Sequence, residues 1–188
     1  MPINKRAIPF TMMDIFNILK ERRSIRKYSD KPVSHELITK VLAAGQWAPS
    51  GLNNQPWRFL VIHDQGQKEK LAGFTKYSCI IKKAPALILV FLDHQATYDR
   101  DKDLMAIGAC IQNMLLEAYS LGIGTCWLGE ILRRKKAVAG YLRIPANLEL
   151  MAVISLGYSA EEIKKGKRHL LNTMVLGLAK KETSCPTK

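Results

Sequence analysis

One unbroken apolar run constrains the fold of this chain more than any other feature. It extends from Ala86 to Leu92, follows Pro85 and contains no polar residue. The run is much shorter than the roughly 20 apolar residues that a membrane-spanning helix requires, and it lacks the alternation typical of a half-exposed strand. It therefore predicts a β-strand that is covered on both faces.

The rest of the chain predicts helices interleaved with strands. Helices are predicted over Met13–Glu21, from Ser34 to about Ala44 or Gly45, from Gln67 onward, over Asp101–Leu121 and over Arg133–Leu142; strands are predicted over Trp57–His63 and Leu150–Leu156, and a strand or loop over Gly122–Gly129. Thr11 or Asp14 can cap the first of these helices, and Ser34 is the predicted N-cap of the second. The longest helix carries a broad apolar stripe and ends at Gly122. This order indicates a two-layer or three-layer mixed arrangement of helices and strands, without fixing the strand order.

The length of the chain favours a single domain. With 188 residues, 47% of them hydrophobic, one core can bury most of the apolar surface. We predict one domain over residues 1–188, with an N-terminal extension over 1–12 and a C-terminal tail over 171–188 that either embraces a second subunit or is partly disordered. The N-terminus lacks the apolar run of a secretory signal, so we expect a cytoplasmic protein without a membrane partner.

Basic residues dominate the charge. Lys and Arg number 29 against 16 Asp and Glu, which gives a net charge of +13. This excess favours anionic ligands, whether nucleic acid, acidic lipid or a phosphorylated cofactor, although a merely solvated basic surface is equally compatible with it. The four cysteines, Cys79, Cys110, Cys126 and Cys185, form no CxxC pair and no Cys/His cluster, which argues against a metal site.

Two short basic segments are candidates for holding a phosphate. Residues 22–27 read RRSIRK and place four cations and a hydroxyl directly after the first predicted helix, where bidentate, charge-assisted hydrogen bonds are available. Residues 164–168 read KKGKR, and Gly166 permits a tight backbone path that turns the following Lys and Arg toward a ligand. Each segment alone is also compatible with an ordinary helix end or a solvated surface.

A polar loop precedes the strand that begins at Trp57. Residues 48–57 read APSGLNNQPW and concentrate amide and hydroxyl groups in a short, stiff connection. Such groups suit the recognition of a planar heterocycle that presents both donors and acceptors. The alternative is a rigid helix-to-strand connection with no ligand.

Together these segments resemble the FMN-dependent nitroreductase family. RRSIRKY (22–28) followed by APSGLNNQPWRF (48–59) is similar to its paired N-terminal signature, DLMAIGACIQNMLLEAYSLGIGTCWLG (103–129) to its central helix and the turn after it, and LGYSAEEIKKGKRHL (156–170) to its closing strand and basic segment. The resemblance covers most of the chain from Asp14 to Leu170. It implies an α+β, three-layer sandwich with a central mixed, mainly antiparallel sheet flanked by helices, assembled as an intertwined homodimer with two FMN sites.

The resemblance also implies which residues bind FMN. The phosphate would be held by Arg22, Ser24, Lys167 and Arg168, and the ribityl chain and pyrimidine edge would be approached by Arg23 and Arg26. The flavin ring would be met by Pro49, Ser50, Gly51 and Asn53 of the partner subunit and by the turn at Leu128 and Gly129. In this turn the backbone N–H of Gly129 would lie near flavin N5, where charge develops as hydride arrives. No side chain would then act as a nucleophile or acid, and no metal would be needed.

The implied activity is a ping-pong reaction. NADH or NADPH would reduce FMN and leave, and a small conjugated acceptor such as a nitroaromatic or a quinone would follow it into the same site. The chain contains no GxGxxG motif, so the sequence does not distinguish NADH from NADPH. Three alternatives stay open: another reaction on the same fold, such as dehalogenation or flavin destruction; a flavoprotein without turnover; and a basic nucleic-acid-binding module.

Overall fold

The computed structural model describes residues 14–163 and 165–177. Helices α1 to α6 extend over Ile15–Glu21, His35–Gln46, Gln65–Ala72, Ser78–Lys83, Arg100–Ser120 and Lys135–Leu142, and strands β1 to β4 over Trp57–Ile62, Ala86–Asp93, Gly124–Leu128 and Leu148–Gly157. Parts of four predictions lie outside the described residues: Met13 of the first helix, the extension over 1–12, Lys164 of the basic segment, and the tail beyond residue 177 with Cys185.

The four strands form one antiparallel sheet in the order β1-β2-β4-β3. An isolated parallel bridge joins Ser24 to Thr125 on the outer side of β3, which makes the sheet mixed but mainly antiparallel, as predicted. Strand β2 lies in the interior of the sheet, and every residue from Ala86 to Asp93 is buried. The prediction that both faces of the apolar run are covered is therefore confirmed.

Helices cover both faces of the sheet. Alternate β2 residues such as Ile88 pack against α2 and α5, in a cluster that includes Val41 and Met114. The intervening residues such as Leu89 pack in a second cluster, which includes Ile81 of α4. Because successive strand side chains point to opposite faces, one strand serves two cores, and the chain forms the three-layer α+β sandwich.

Local signals fix the ends of several helices. The side chain of Asp14 accepts a hydrogen bond from the backbone N–H of Phe16 at the start of α1, and Ser34 caps α2 as predicted. At the other end of α5, Gly122 adopts a φ of +74°, a conformation that glycine reaches without strain. The predicted start and end signals therefore hold for the helices that frame the first core.

Two elements differ from the prediction. Helix α4 was not predicted, because six residues with one buried apolar pair, Ile80 and Ile81, are too few for a periodic signal. The predicted helix over Arg133–Leu142 is instead a 3-10 turn over Glu130–Arg134 followed by α6. In the described part of the chain, no helix is long and apolar enough to span a bilayer.

Candidate functional site

A cavity of about 470 Å³ opens beside the outer edge of β3, where the segment after α1 meets the segment after β4. We call it the basic cavity. Its walls are formed by Arg22, Arg23, Ser24, Ile25, Arg26, Glu161, Glu162, Ile163, Lys165 and Arg168. Five of these side chains are cationic and two are carboxylates, so the cavity carries excess positive charge.

Backbone pairing holds the two segments together. The N–H of Ile25 donates to the carbonyl of Thr125 at 2.9 Å, and the N–H of Ala160 donates to the carbonyl of Lys27, also at 2.9 Å. An antiparallel bridge joins Tyr28 to Ser159. Residues 24–28 therefore lie along the edge of the sheet, between β3 and the continuation of β4. This brings two basic motifs, about 140 residues apart in the sequence, to one place.

The Tyr28 hydroxyl reinforces this arrangement from below. Tyr28 is buried, donates to the carbonyl of Ile25 at 2.7 Å and lies 2.8 Å from the Ser155 hydroxyl. Burial raises the pKa of Tyr28 well above its ordinary range, because the phenolate would lose its hydration. Tyr28 therefore stays neutral, and its hydroxyl anchors the segment that carries the arginines to Ser155 of β4.

Glu161 does little to neutralise the arginines. Its Oε1 atom accepts hydrogen bonds from the backbone N–H groups of Arg26 at 2.7 Å and of Lys27 at 3.3 Å. This carboxylate therefore ties the segment after β4 to the segment after α1. Among the described residues, Arg22, Arg26, Lys165 and Arg168 of the cavity walls form no ion pair with a carboxylate.

The side chain of Arg22 contains a buried hydrogen-bond donor that no described residue uses. Its Nε atom is buried and has no hydrogen-bond partner among the described residues. Burial, followed by repulsion from Arg168 and Arg23, lowers the pKa of Arg22. A buried donor without a partner is costly, and a bound anion would both accept its hydrogen bond and offset the repulsion. The residues present therefore fit a phosphate group.

Gly166 is needed for a different reason from the predicted one. The sequence predicts a tight backbone path there, but Gly122 is the glycine with a positive φ in the described part of the chain. Instead, the guanidinium of Arg23 packs directly over Gly166, so that an added Cβ would collide with it. The same guanidinium donates to the carbonyls of Lys20 and Arg22 at 2.7 and 2.6 Å. Arg23 therefore joins the two basic segments.

The structure brings together most, but not all, of the predicted phosphate-side residues. Arg22, Arg23, Ser24, Arg26 and Arg168 all line the basic cavity, whereas Lys167 is exposed and does not. Lysines that flank a cavity wall in this way can still reach a ligand at its mouth, because their side chains are long and flexible.

The predicted ring-side loop lies elsewhere on the same chain. None of Pro49, Ser50, Gly51 and Asn53 lines the basic cavity. The loop leads into β1, at the opposite edge of the sheet from β3, and four strands place those edges about 14 Å apart at the usual strand spacing. The predicted phosphate-side residues and the predicted ring-side loop therefore lie at two separate places on one chain.

At the turn after β3, backbone groups rather than side chains are accessible to a ligand. Leu128 ends β3 with its side chain buried in the second core, and Gly129 begins the 3-10 turn. Apart from the residues next to it in the chain, no described residue has an atom within 4 Å of the position that a Cβ on Gly129 would occupy. At this turn, the glycine leaves space for a ligand to approach the main chain.

Sequence reasoning missed Glu161 in the cavity, the structural role of Asn54 in the ring-side loop, and Asp103 behind that loop. The Nδ2 atom of Asn54 donates to the Oδ1 atom of Asp103 at 2.7 Å, and Glu161 bonds a segment 135 residues away. A polar residue whose partner is so distant in sequence leaves no local pattern, so no signal in the chain would have revealed these contacts.

Comparisons with known proteins agree with the fold and the motifs. The sequence profile of the nitroreductase family matches residues 19–76 and 66–158. An Archaeoglobus fulgidus protein provisionally named NADH dehydrogenase/NAD(P)H nitroreductase is 38% identical over 154 residues, which cover 80% of this chain and 88% of the relative. A Methanothermobacter thermautotrophicus protein with the same provisional name is 36% identical over 79% of each chain.

A solved structure extends this similarity to three dimensions. A crystal structure from Desulfovibrio desulfuricans, provisionally described as a nitroreductase in complex with FMN, superposes with a TM-score of 0.84 at 43% identity, covering 88% of this chain and 96% of that one. The profile match includes the polar loop, the turn after β3 and the part of the basic cavity that follows α1. The chain belongs to the nitroreductase family.

Proposed function

We propose that this protein is an FMN-dependent oxidoreductase that takes electrons from NADH or NADPH and passes them to a small conjugated acceptor, such as a nitroaromatic or a quinone. The observation that carries the proposal is the buried, unpartnered Nε atom of Arg22 in a cavity with an excess of cations. The similarity to a nitroreductase described with FMN supports it.

The basic cavity would hold the phosphate of FMN. Arg22 and Arg168 would supply charge-assisted hydrogen bonds, and Ser24 a neutral one. Arg23 and Arg26 would lie beside the ribityl chain and pyrimidine edge, with Lys167 reaching the phosphate from outside the walls. Because Arg22 is already desolvated and surrounded by positive charge, a dianionic phosphate gains more there than at an ordinary surface arginine.

The ring-side loop would act in the partner subunit of a homodimer. A single chain keeps this loop away from its own basic cavity, so two copies would be needed to complete one site. Two large side chains beside the loop support an interface: Trp47 is 85% exposed and Leu52 is 86% exposed, which is unusual for apolar residues unless another surface covers them. A solution mass near twice 21.2 kDa is expected, and a monomer that binds FMN tightly would contradict the dimeric site.

When bound, FMN supplies the hydride and electron transfer chemistry, which protein side chains cannot perform. The chain's own contribution is position and electrostatics. The backbone N–H of Gly129 would donate a hydrogen bond at the ring edge near N5, and the loop over Pro49–Asn53 would cover the ring and exclude water. A cytoplasmic location would give such an enzyme access to both nicotinamide donors.

Absorbance spectroscopy tests the proposed function. We expect the purified protein to carry flavin or to bind added FMN, and the flavin absorbance to bleach under anaerobic conditions when NADH or NADPH is added. Reoxidation by a nitroaromatic, a quinone or a halogenated phenol, with product analysis, then identifies the acceptor class. A protein that cannot be loaded with FMN would refute the proposal and favour the basic-surface alternative. Flavin that is bound but never reduced would indicate a flavoprotein without turnover.

A further inference from the structure

The loop over Ser50–Gln55 is held in a strained conformation. Leu52, Asn53 and Gln55 have φ values of +54°, +55° and +46°, and none of them is a glycine. Asn adopts left-handed backbone readily, but the same conformation costs Leu52 and Gln55 roughly 1–2 kcal/mol each. Such a conformation persists only where the surroundings determine it, so the structure must contain contacts that hold this loop.

A buried carboxylate supplies these contacts. Asp103 lies in the first turn of α5 and is 0% exposed. Its Oδ2 atom accepts hydrogen bonds from the backbone N–H groups of Tyr98 at 3.1 Å and Asp99 at 3.3 Å, and its Oδ1 atom accepts one from the Nδ2 atom of Asn54 at 2.7 Å. No described residue forms an ion pair with Asp103.

Capping of α5 accounts for the hydrogen bonds to Oδ2 of Asp103 but not for the hydrogen bond to Oδ1. The bonds from Tyr98 and Asp99 are local and stabilise the start of the helix. The bond from Asn54 crosses 49 residues to the ring-side loop. Burying a carboxylate costs free energy unless it is well paired. Asp103 is fully buried without a paired cation among the described residues, and it bonds a distant loop. We therefore expect it to have a role beyond capping.

Asn54 is oriented unambiguously toward Asp103. Its Nδ2 atom also donates to the carbonyl of Ala96 at 2.9 Å, so both groups facing Nδ2 are acceptors. Its Oδ1 atom is buried and lacks a hydrogen-bond partner among the described residues. An unpaired carbonyl oxygen is tolerated at this position, which indicates that the two bonds from Nδ2 outweigh its cost.

A second contact fixes the same loop from the same segment. The hydroxyl of Tyr98 packs against Gly51 so closely that any Cβ there would collide with it, and the backbone N–H of Tyr98 is held by Asp103. The loop also closes on itself through the bond from the Gln55 N–H to the Ser50 hydroxyl at 3.0 Å. Asp103 thus reaches the loop by two routes, through Asn54 and through Tyr98.

We infer that Asp103 is a positioning residue that, through Asn54 and Tyr98, sets the shape of the loop that meets the flavin ring. This inference rests on the proposed function, in which Ser50, Gly51 and Asn53 contact the ring. Asp103 touches neither the ring nor the phosphate; it determines how well the loop is preorganised for the ring. Preorganisation of this kind changes affinity without adding a contact.

Comparing two ligands tests the inference. Riboflavin carries the ring without the phosphate, so a loop defect should weaken riboflavin and FMN by the same factor. We expect Asp103→Asn, which turns an amide N–H toward either the backbone donors or Asn54, to raise both dissociation constants by about 10-fold, in line with one or two lost hydrogen bonds to a charged group. Each titration is carried out on apoprotein and followed by quenching of flavin fluorescence.

Asn54→Ala serves as the second variant and keeps the test valid if Asp103→Asn folds poorly. It removes the link to the loop but leaves the α5 cap intact, and it should produce the same factor for both ligands. The double variant should bind no more weakly than Asp103→Asn, because the connection that Asn54→Ala removes runs through Asp103. Glu36→Gln, which removes an exposed carboxylate paired with Lys40 at the start of α2, is the matched control and should leave both dissociation constants within about twofold.

Distinct results separate the two proposals. If the wild-type protein binds neither flavin, the proposed function fails. If the wild type binds both and Asn54→Ala and Asp103→Asn bind riboflavin as the wild type does, the inference about Asp103 fails while the proposed function stands. A loss of FMN affinity without a loss of riboflavin affinity, or a variant that loses flavin because it becomes monomeric, would also overturn the inference.

Discussion

Two clusters of basic side chains lie beyond opposite ends of β4, and they differ in one respect. At its start, the Glu149 cluster consists of His94, Arg100 and Lys135 around the carboxylate of Glu149, with contacts of 3.2 Å from His94 and 2.8 Å from Arg100. After its end lies the basic cavity, in which Arg22, Arg26, Lys165 and Arg168 form no ion pair with a carboxylate of the described residues. The cations of the first cluster are paired with a carboxylate, and these four cations of the second are not.

The pKa values of Arg100 and Arg22 shift in opposite directions. The hydrogen bond and charge of Glu149 raise the pKa of Arg100, whereas burial and neighbouring cations lower the pKa of Arg22. A cation cluster built around a carboxylate stabilises the fold, because its charges are already matched. A partly buried arginine such as Arg22, which has cationic neighbours and no paired carboxylate, destabilises the fold, and a bound anion would offset that cost. Counting basic residues in the sequence does not separate the two kinds of cluster.

Replacing Arg22 should produce the largest effect. We expect Arg22→Ala to raise the dissociation constant of FMN by about 100-fold, because at least one charge-assisted hydrogen bond to the phosphate is lost. Riboflavin, which has no phosphate, should bind as it does to the wild type. Arg134→Ala, an exposed change of equal charge outside the cavity, is the matched control. Equal FMN affinity of the two variants in fluorescence titrations would remove Arg22 from the phosphate site.

Replacing Glu149 should affect stability and not ligand binding. Its side chain is 14% exposed, and the bonds from Arg100 and Lys135 lower its pKa from 4.5 to about 2. We expect Glu149→Gln to lower the free energy of unfolding at pH 7 by about 1–2 kcal/mol, since the pairing cations are half exposed and screened by solvent. FMN affinity should not change.

The pH dependence of this effect has a defined sign. The folded-state pKa of Glu149 is depressed, so its stabilisation is complete above the unfolded value of 4.5 and is lost as the pH falls toward about 2. The difference between the wild type and Glu149→Gln in urea unfolding should therefore be largest above pH 5 and shrink toward pH 2. If the stability difference instead grows as the pH falls, the ionised Glu149 carboxylate does not stabilise the fold through Arg100 and Lys135.

Inorganic phosphate should give the smallest effect and test the basic cavity without flavin. A ligand that binds only the folded state raises the midpoint of thermal unfolding, and we expect about 1–2 °C for apoprotein in 50 mM phosphate, assuming a dissociation constant of similar size. Sodium chloride at matched ionic strength is the control for general screening. Arg22→Ala should abolish the shift, and a shift that persists in that variant would place the anion elsewhere on the basic surface.

The sequence identified the residue types of both proposed half-sites. The RRSIRK segment and the polar loop were both identified from residue types alone, because cations and amides concentrated in a few positions are visible in one stretch of chain. The covered strand was equally clear: it was predicted over Ala86–Leu92 and extends over Ala86–Asp93. Helix α4 was not predicted, since Ile80 and Ile81 are its only buried residues. The structure places Lys167 outside the cavity walls, and its contact with the phosphate stays a prediction.

The sequence by itself determined the local elements: the buried β2 strand, the caps at Asp14 and Ser34, the glycine end of α5 and the motifs of the nitroreductase family. These follow from periodicity, caps and turns, which act between residues a few positions apart. Only the tertiary structure decided that Arg22 is desolvated, that Gly166 makes room for Arg23, and that Asp103 holds Asn54. Those properties depend on burial and on contacts between distant segments, and neither exists until the chain has folded.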